Sequence, residues 1–226
     1  MEVLGLNKIV DALSNAFSVF DFSFFISGAV TLGFIALDLH YYGHDGVLQL
    51  QGWTSVLIYI LAIYVCGLMS WSIGKLMRWG ILRCLWGKDG VKNDFDEIFA
   101  KAKAENAIRQ GGEPEAENPG EDDDNTGYKK MWIVIEKNEK MAGRLSSLNK
   151  MWVMVAVFEG LAFSWVVGII VYFDGWLVGR WIKTECFWLN IVPLLVLVAL
   201  IIVSLHRATK YSRDLIEEVV AVYYNN

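Results

Sequence analysis

An apolar stretch of 23 residues, Met151–Phe173, constrains the fold of this chain more than any other feature. It reads MWVMVAVFEGLAFSWVVGIIVYF and holds one ionisable side chain, Glu159. About 20 apolar residues, rising 1.5 Å each as a helix, cover a hydrocarbon core of roughly 30 Å. The stretch is therefore predicted to be a membrane-spanning helix.

Three further apolar runs have the length of a membrane span, at residues 22–39, 53–74 and 187–205. The whole chain is 55% hydrophobic with a mean hydropathy of +0.38, above the roughly 45–50% apolar content of soluble domains. Because this excess is concentrated in four runs, the sequence predicts an all-α membrane protein with four transmembrane helices.

The segments outside these runs carry helix signals and predict cytosolic helical extensions. Asn93 is a candidate N-cap, and one continuous helix is predicted over about 130–173, since no proline interrupts it. The alternative for the N-terminal segment is an extension of the first span. The predicted division is an amphipathic helix at 1–20, a transmembrane hairpin at 21–74, a cytosolic helical hairpin at 75–150 with a disordered acidic loop at 111–127, a transmembrane hairpin at 151–205, and a cytosolic C-terminal helix at 206–226. This C-terminal segment is expected to continue the fourth span as a helix, with an apolar face formed by Tyr211, Leu215, Val219 and Val222.

Small residues recur every fourth position in two of the spans. Such stripes allow helices to approach closely in a membrane, so the two stripes are expected to face each other or to face copies in an oligomer. If assembly uses the striped face, Gly160→Leu weakens it and Gly67→Leu, on another face, does not. The stripes are Ala62, Cys66, Ser70 and Gly74 in the second span, and Ala156, Gly160, Ser164 and Gly168 in the third.

Glu159 is the intramembrane polar residue that needs an explanation, because a carboxylate facing lipid is costly. One interpretation is that it lines an ion or proton path between subunits. The other is that it joins helices through a hydrogen bond, with Ser27, Thr31, Ser70, Trp71 and Ser164 as candidate partners.

The distribution of Lys and Arg predicts the orientation. Residues 75–150 hold fourteen of them, residues 40–52 hold none and residues 174–186 hold two. The positive-inside rule places 75–150, and with it both termini, in the cytoplasm of a cell whose inner membrane the chain spans. A basic, amphipathic exit from the second span is expected at the membrane surface, where it can meet anionic lipid; its cations are Lys75, Arg78, Arg83 and Lys88.

The sequence contains no pattern that predicts catalysis or a cofactor. A Walker loop, GxSxG and HExxH are all absent, and the spans hold no central histidine for haem. His40 and His44 are four residues apart, but Gly43 argues against the helix that would bring both to one metal ion. No catalytic residue, cofactor or metal is therefore predicted, and the acidic net charge of −5 does not suggest a nucleic-acid partner.

Two functional hypotheses follow. The first is a non-enzymatic, polytopic inner-membrane protein that self-associates through its small-residue faces and docks a soluble cytosolic partner on its cytosolic helices. The alternative is an oligomeric pore or channel-like effector gated from the cytosol, with Glu159 on its path, of the kind that serves stress or antiviral defence. A weaker third interpretation, an enzyme acting on lipid, lacks the cluster of polar residues that such chemistry needs.

Overall fold

The structure, a computed structural model, describes residues 19–44, 52–86, 90–109, 124–138, 141–177 and 187–224. This part of the chain is helical, which confirms the predicted all-α class. The predicted N-terminal helix at 1–20 falls almost wholly outside the described residues, as do residues 111–123 of the predicted acidic loop. The helices are α1 (Val19–Tyr41), α2 (Trp53–Trp86), α3 (Gly90–Arg109), α4 (Asp124–Lys137), α5 (Ala142–Leu177) and α6 (Phe187–Tyr224).

Four of these helices are long and apolar enough to cross a membrane, as the hydropathy runs predicted. Each contains a stretch of 18 residues that is strongly apolar, with mean hydropathies of 1.5, 2.1, 2.2 and 2.4 in chain order. The shortest of the four segments has 19 residues, which is enough to cross a hydrocarbon core, so the chain is a candidate multi-pass membrane protein. The segments are Ser23–Tyr41, Ser55–Cys84, Gly143–Gly175 and Ile191–Tyr224.

The chain divides into two compact units. The first comprises Met1–Met77 and Ala156–Ala208, and the second comprises Arg78–Val155 and Thr209–Asn226. The boundaries therefore fall inside α2, α5 and α6, three to five residues beyond the predicted segment limits at 74/75, 150/151 and 205/206.

The second unit has a hydrophobic core to which four helices contribute. Ile135 of α4, Leu148 of α5 and Val219 of α6 are fully buried, and Phe99 of α3 is 1% exposed. The predicted helical continuation of the fourth span is confirmed, because α6 runs without interruption to Tyr224. Its predicted apolar face is buried at Leu215, Val219 and Val222. Burial of these side chains stabilises the unit by about 1.5–3 kcal/mol for each large one.

The predicted continuous helix over 130–173 is interrupted. Helix α4 ends at Lys137 and helix α5 begins at Ala142. Between the two helices, Met141 N–H donates to Asn138 O over 2.9 Å. In one straight helix, Ile135 and Leu148 would lie about 140° apart around the axis. Since both are completely buried in the same core, the turn at Asn138 is what allows both to point into it.

Two helix starts also differ from the sequence-based expectation. Helix α3 begins at Gly90, so Asn93 lies within its first turn and is not the residue that starts the helix. Helix α4 begins at Asp124, so residues 124–127 of the predicted loop are helical. At the other end of α1, Gly43 has φ 75° just after the last helical residue, which confirms that the helix does not continue through His44.

Candidate functional site

The two predicted small-residue stripes lie at contacts between helices of the same chain. A Cβ atom added at Gly74 of α2 would be 1.8 Å from the backbone oxygen of Glu159 in α5, and one added at Gly160 would be 2.6 Å from Ser27 Oγ. A Cβ atom added at Gly168 would be 2.7 Å from the ring of Phe34. Among the others, Ser70, Ala156 and Ser164 are buried and Ala62 and Cys66 are half-buried.

The contact between α1 and α2 depends on two glycines that the stripe pattern does not include. A Cβ at Gly28 would lie 1.8 Å from the oxygen of Ile63, and one at Gly67 would lie 1.9 Å from the oxygen of Phe24. Gly67 was expected to lie on another face than the stripe, and the structure shows that this other face packs against α1. Isolated glycines inside apolar runs were the available signal, but Gly33 shows the same signal and has open space around it.

A buried cluster of hydroxyl groups joins these three helices. It consists of Thr31 of α1, Ser70 of α2 and Ser164 of α5, which are 5%, 0% and 0% exposed. Thr31 Oγ1 lies 2.8 Å from Ser70 Oγ and 2.9 Å from Ser164 Oγ. Since lipid offers no alternative partner, hydroxyls in a membrane helix are satisfied by such interhelical bonds.

The direction of the hydrogen bonds in this cluster follows from the acceptors at its end. Ser164 Oγ donates to the backbone oxygen of Gly160 (2.9 Å) or of Ser27 (3.0 Å). It therefore accepts the hydrogen of Thr31, and Ser70 must donate to Thr31 Oγ1, because each hydroxyl has one hydrogen. The chain of donors begins on α2, passes through α1 and ends at a carbonyl, so all three hydroxyls serve helix packing.

Glu159 connects α5 to α2 at the other end of the same contact region. Its side chain is 2% exposed, and Trp71 Nε1 donates to its Oε2 over 2.9 Å. The Trp71 ring also contacts Phe24 of α1, with ring centroids 5.4 Å apart. The geometry brings Glu159 to one of its predicted hydrogen-bonding partners and places it inside the packing of a single chain.

The predicted membrane-surface cations are partly described. Lys75, Arg78 and Arg83 lie on the last four turns of α2, whereas Lys88 is outside the described residues. Lys75 Nζ lies 5.5 Å from the centroid of the Trp71 ring, and Arg83 Cζ lies 4.9 Å from that of Trp79. The aromatic neighbours of these cations were not anticipated, although a spacing of four residues between Trp and the cation was visible in the sequence.

The second unit exposes one face of α4 that is both basic and apolar. Ile133 and Val134 are 49% and 46% exposed, and all five residues of the face fall within an arc of about 140° around the helix. The opposite side of α4 carries the buried Met131 and Ile135. We call this surface the α4 face; it consists of Lys129, Lys130, Ile133, Val134 and Lys137.

Burial also affects a titratable group in this unit. It raises the pKa of the Tyr128 phenol above its ordinary value, and a side-chain hydrogen bond with Trp132 partly opposes the shift. Both residues belong to the side of α4 that packs on the core. The neutral phenol is thus the form that the core accommodates.

The described side chains do not form a metal centre, since no group of three or more His, Cys, Asp and Glu residues lies together in that part of the chain.

At the end of α1, the Tyr42 hydroxyl donates to the Asp174 carboxylate at the end of α5. The hydrogen bonds of the site hold helices in position.

Comparisons of this chain with protein-family models, curated proteins and solved structures give no match.

Proposed function

We propose that this chain is a non-enzymatic, polytopic inner-membrane protein that self-associates and docks a soluble cytosolic partner. The observation that carries the proposal is the α4 face. A unit with its own hydrophobic core leaves Ile133 and Val134 exposed between three lysines, and an apolar centre rimmed by charge is typical of protein interaction sites. The lysines favour a partner with an acidic surface.

Self-association is assigned to α6 in this proposal. The small-residue stripes contact helices of the same chain, whereas Leu195 and Ile202 are 60% and 62% exposed and lie seven residues apart on one side of α6. Lipid covers such a surface in a monomer, and a second copy covers it in an oligomer. A comparable lipid-exposed control exists at Leu61 of α2, which is 63% exposed.

Site-specific photo-crosslinking tests both interactions in cells. A photoreactive amino acid at Ile133 is expected to capture a soluble protein, and one at Ile202 is expected to capture a second copy of this chain. The control position, Leu61, is expected to yield neither product. Charge reversal by Lys130→Glu and Lys137→Glu should reduce the Ile133 product at least several-fold, because it opposes an acidic partner. Equal products at Leu61 and Ile133, or products unaffected by charge reversal, would contradict the docking assignment.

Labelling of single cysteines tests the proposed orientation. Cys84 is exposed near the end of α2, on the side assigned to the cytoplasm, and Cys186 is the last residue of the connection assigned to the outside. In intact spheroplasts, a membrane-impermeant maleimide is expected to modify a variant that keeps only Cys186. A variant that keeps only Cys84 should react only after permeabilisation. The reverse pattern would invert the topology and remove the cytosolic partner from the proposal.

The alternative function, a pore gated from the cytosol, requires Glu159 to face a conducting path. Its contact with Trp71 and its 2% exposure support a packing role within one chain. We therefore rank the scaffold above the pore. Ion flux through liposomes that contain the purified protein distinguishes the two, together with the Glu159 variants described in the Discussion.

A further inference from the structure

One side of α2 remains exposed along the whole helix. Leu61, Val65 and Met69 are 63%, 45% and 58% exposed. With 100° between successive residues, these three lie within an arc of about 80°. In a helix that crosses a bilayer, a side of this composition faces the acyl chains.

The same side becomes cationic beyond Gly74. Leu76 and Trp79 are 67% and 49% exposed and, with Arg83, they share the arc of Leu61 and Met69. Lys75 lies about 40° outside this arc. Along α2, tryptophans and cations alternate every four residues, in the order Trp71, Lys75, Trp79 and Arg83.

Each cation lies over the ring of the tryptophan one turn before it. The distances to the ring centroids are 5.5 Å for Lys75 Nζ on Trp71 and 4.9 Å for Arg83 Cζ on Trp79, within the range of cation–π attraction. Helix α2 contains no Asp or Glu that could neutralise these charges along the helix. The positive charges are thus held in place by aromatic rings and remain able to attract an anion.

The position of these residues along α2 matches the depth of the lipid headgroups. From Trp53 to Gly74 the helix has 22 residues, which rise about 33 Å and cover a hydrocarbon core of about 30 Å. Lys75 is then the first residue past the acyl chains, and Arg83 follows two turns later. Tryptophan is enriched at this interface because its ring is amphipathic.

We propose that Lys75, Leu76, Trp79 and Arg83, the α2 strip, form a binding site for an anionic phospholipid of the bilayer. The two cations bind the negatively charged headgroup and phosphate, and Leu76 and Trp79 lie between these cations in the interfacial layer, where an amphipathic tryptophan ring is favoured. Continuity with the lipid-exposed side of α2 identifies the occupant as a membrane lipid. The positive charge selects an anionic headgroup over a zwitterionic one.

Native mass spectrometry of the full-length protein in detergent tests this site. The probes are phosphatidylglycerol and phosphatidylcholine, added separately over a range of concentrations. Wild-type protein is expected to retain phosphatidylglycerol preferentially. Each cation near an anionic surface contributes about five-fold in affinity, so Lys75→Gln with Arg83→Gln should weaken phosphatidylglycerol binding by about 25-fold and leave phosphatidylcholine binding unchanged.

The matched control removes the same charge from the α4 face. Lys129→Gln with Lys137→Gln replaces two exposed lysines and is expected to retain phosphatidylglycerol as wild type does. An equal loss in both double variants, or no loss in the α2 variant, would overturn the proposal. If the α2 variant does not fold, a salt titration of the wild type decides, because binding that does not weaken with salt would contradict the assignment.

Discussion

Gly67→Ala is expected to lower the free energy of unfolding by about 3 kcal/mol, at the upper end of the usual cost of overpacking. The added methyl group would lie 1.9 Å from the backbone oxygen of Phe24. A backbone atom cannot rotate away as a side chain can, so α1 and α2 must separate. Separation loses the van der Waals contacts that hold helices together in a membrane. Reversible unfolding in mixed micelles, followed by far-ultraviolet circular dichroism, measures the change.

Gly33→Ala is the matched control, because it makes the same substitution in α1 where no other atom lies within 4 Å. Its effect is expected to stay within about 1 kcal/mol, with helix propensity favouring Ala. Gly28 lies at the same contact as Gly67, and a Cβ atom added at Gly28 would be 1.8 Å from the backbone oxygen of Ile63. The double variant of Gly28 and Gly67 should therefore cost less than the sum of the single variants, since one separation relieves both clashes. Equal effects at Gly33 and Gly67 would contradict the close approach of α1 and α2.

Glu159→Leu is expected to destabilise the protein by about 2 kcal/mol, because it leaves the Trp71 indole N–H without its acceptor in an apolar environment. The bond that is lost joins Trp71 Nε1 to Glu159 Oε2 at 2.9 Å. Glu159→Gln keeps a carbonyl oxygen at this position and should cost less than about 1 kcal/mol. The same unfolding measurement compares the two variants.

A double-mutant cycle with Trp71→Phe isolates the hydrogen bond from the other effects of the substitution. When the indole N–H is absent, Glu159→Leu should lose most of its additional cost, because no donor is left unsatisfied. A cost that persists in full in the Trp71→Phe background would show that Glu159 acts through another contact.

Ion flux measured on the same variants separates the packing role from the pore. If Glu159 holds helices together, wild-type liposomes are expected to be tight, and Glu159→Gln liposomes should be equally tight. A wild-type flux that changes in Glu159→Gln, at an unchanged free energy of unfolding, would instead support a conducting path past this carboxyl group.

The fold class and the spans could be predicted from the sequence because they depend on properties that are local along the chain. An apolar run such as Met151–Phe173 must leave water wherever it lies, and its length suits a bilayer. The apolar period of the C-terminal tail likewise predicted a helix with Leu215, Val219 and Val222 on one side, and these residues are buried. Both predictions need only the residues of one segment.

The tertiary structure decided which segments meet. Two glycines, Gly33 of α1 and Gly67 of α2, show why the sequence could not predict these contacts. Gly33 and Gly67 both interrupt apolar runs, yet Gly67 meets the backbone of α1 and Gly33 meets nothing within 4 Å. The turn at Asn138 was likewise not predictable from its own segment, because it is required only when Ile135 and Leu148 are buried in one core. Such choices depend on the shapes of surfaces that come together only in the folded chain.

The hydrogen bonds of the site also depend on contacts between residues that are distant in the sequence. Thr31 bonds to residues 39 and 133 positions away, and Trp71 bonds to one 88 positions away. The sequence by itself determined which segments are helical and apolar, because hydropathy and periodicity act over neighbouring residues. The tertiary structure decided that Thr31, Ser70 and Ser164 satisfy one another and that Glu159 meets Trp71, because a buried polar group must find its partner wherever packing brings one within reach.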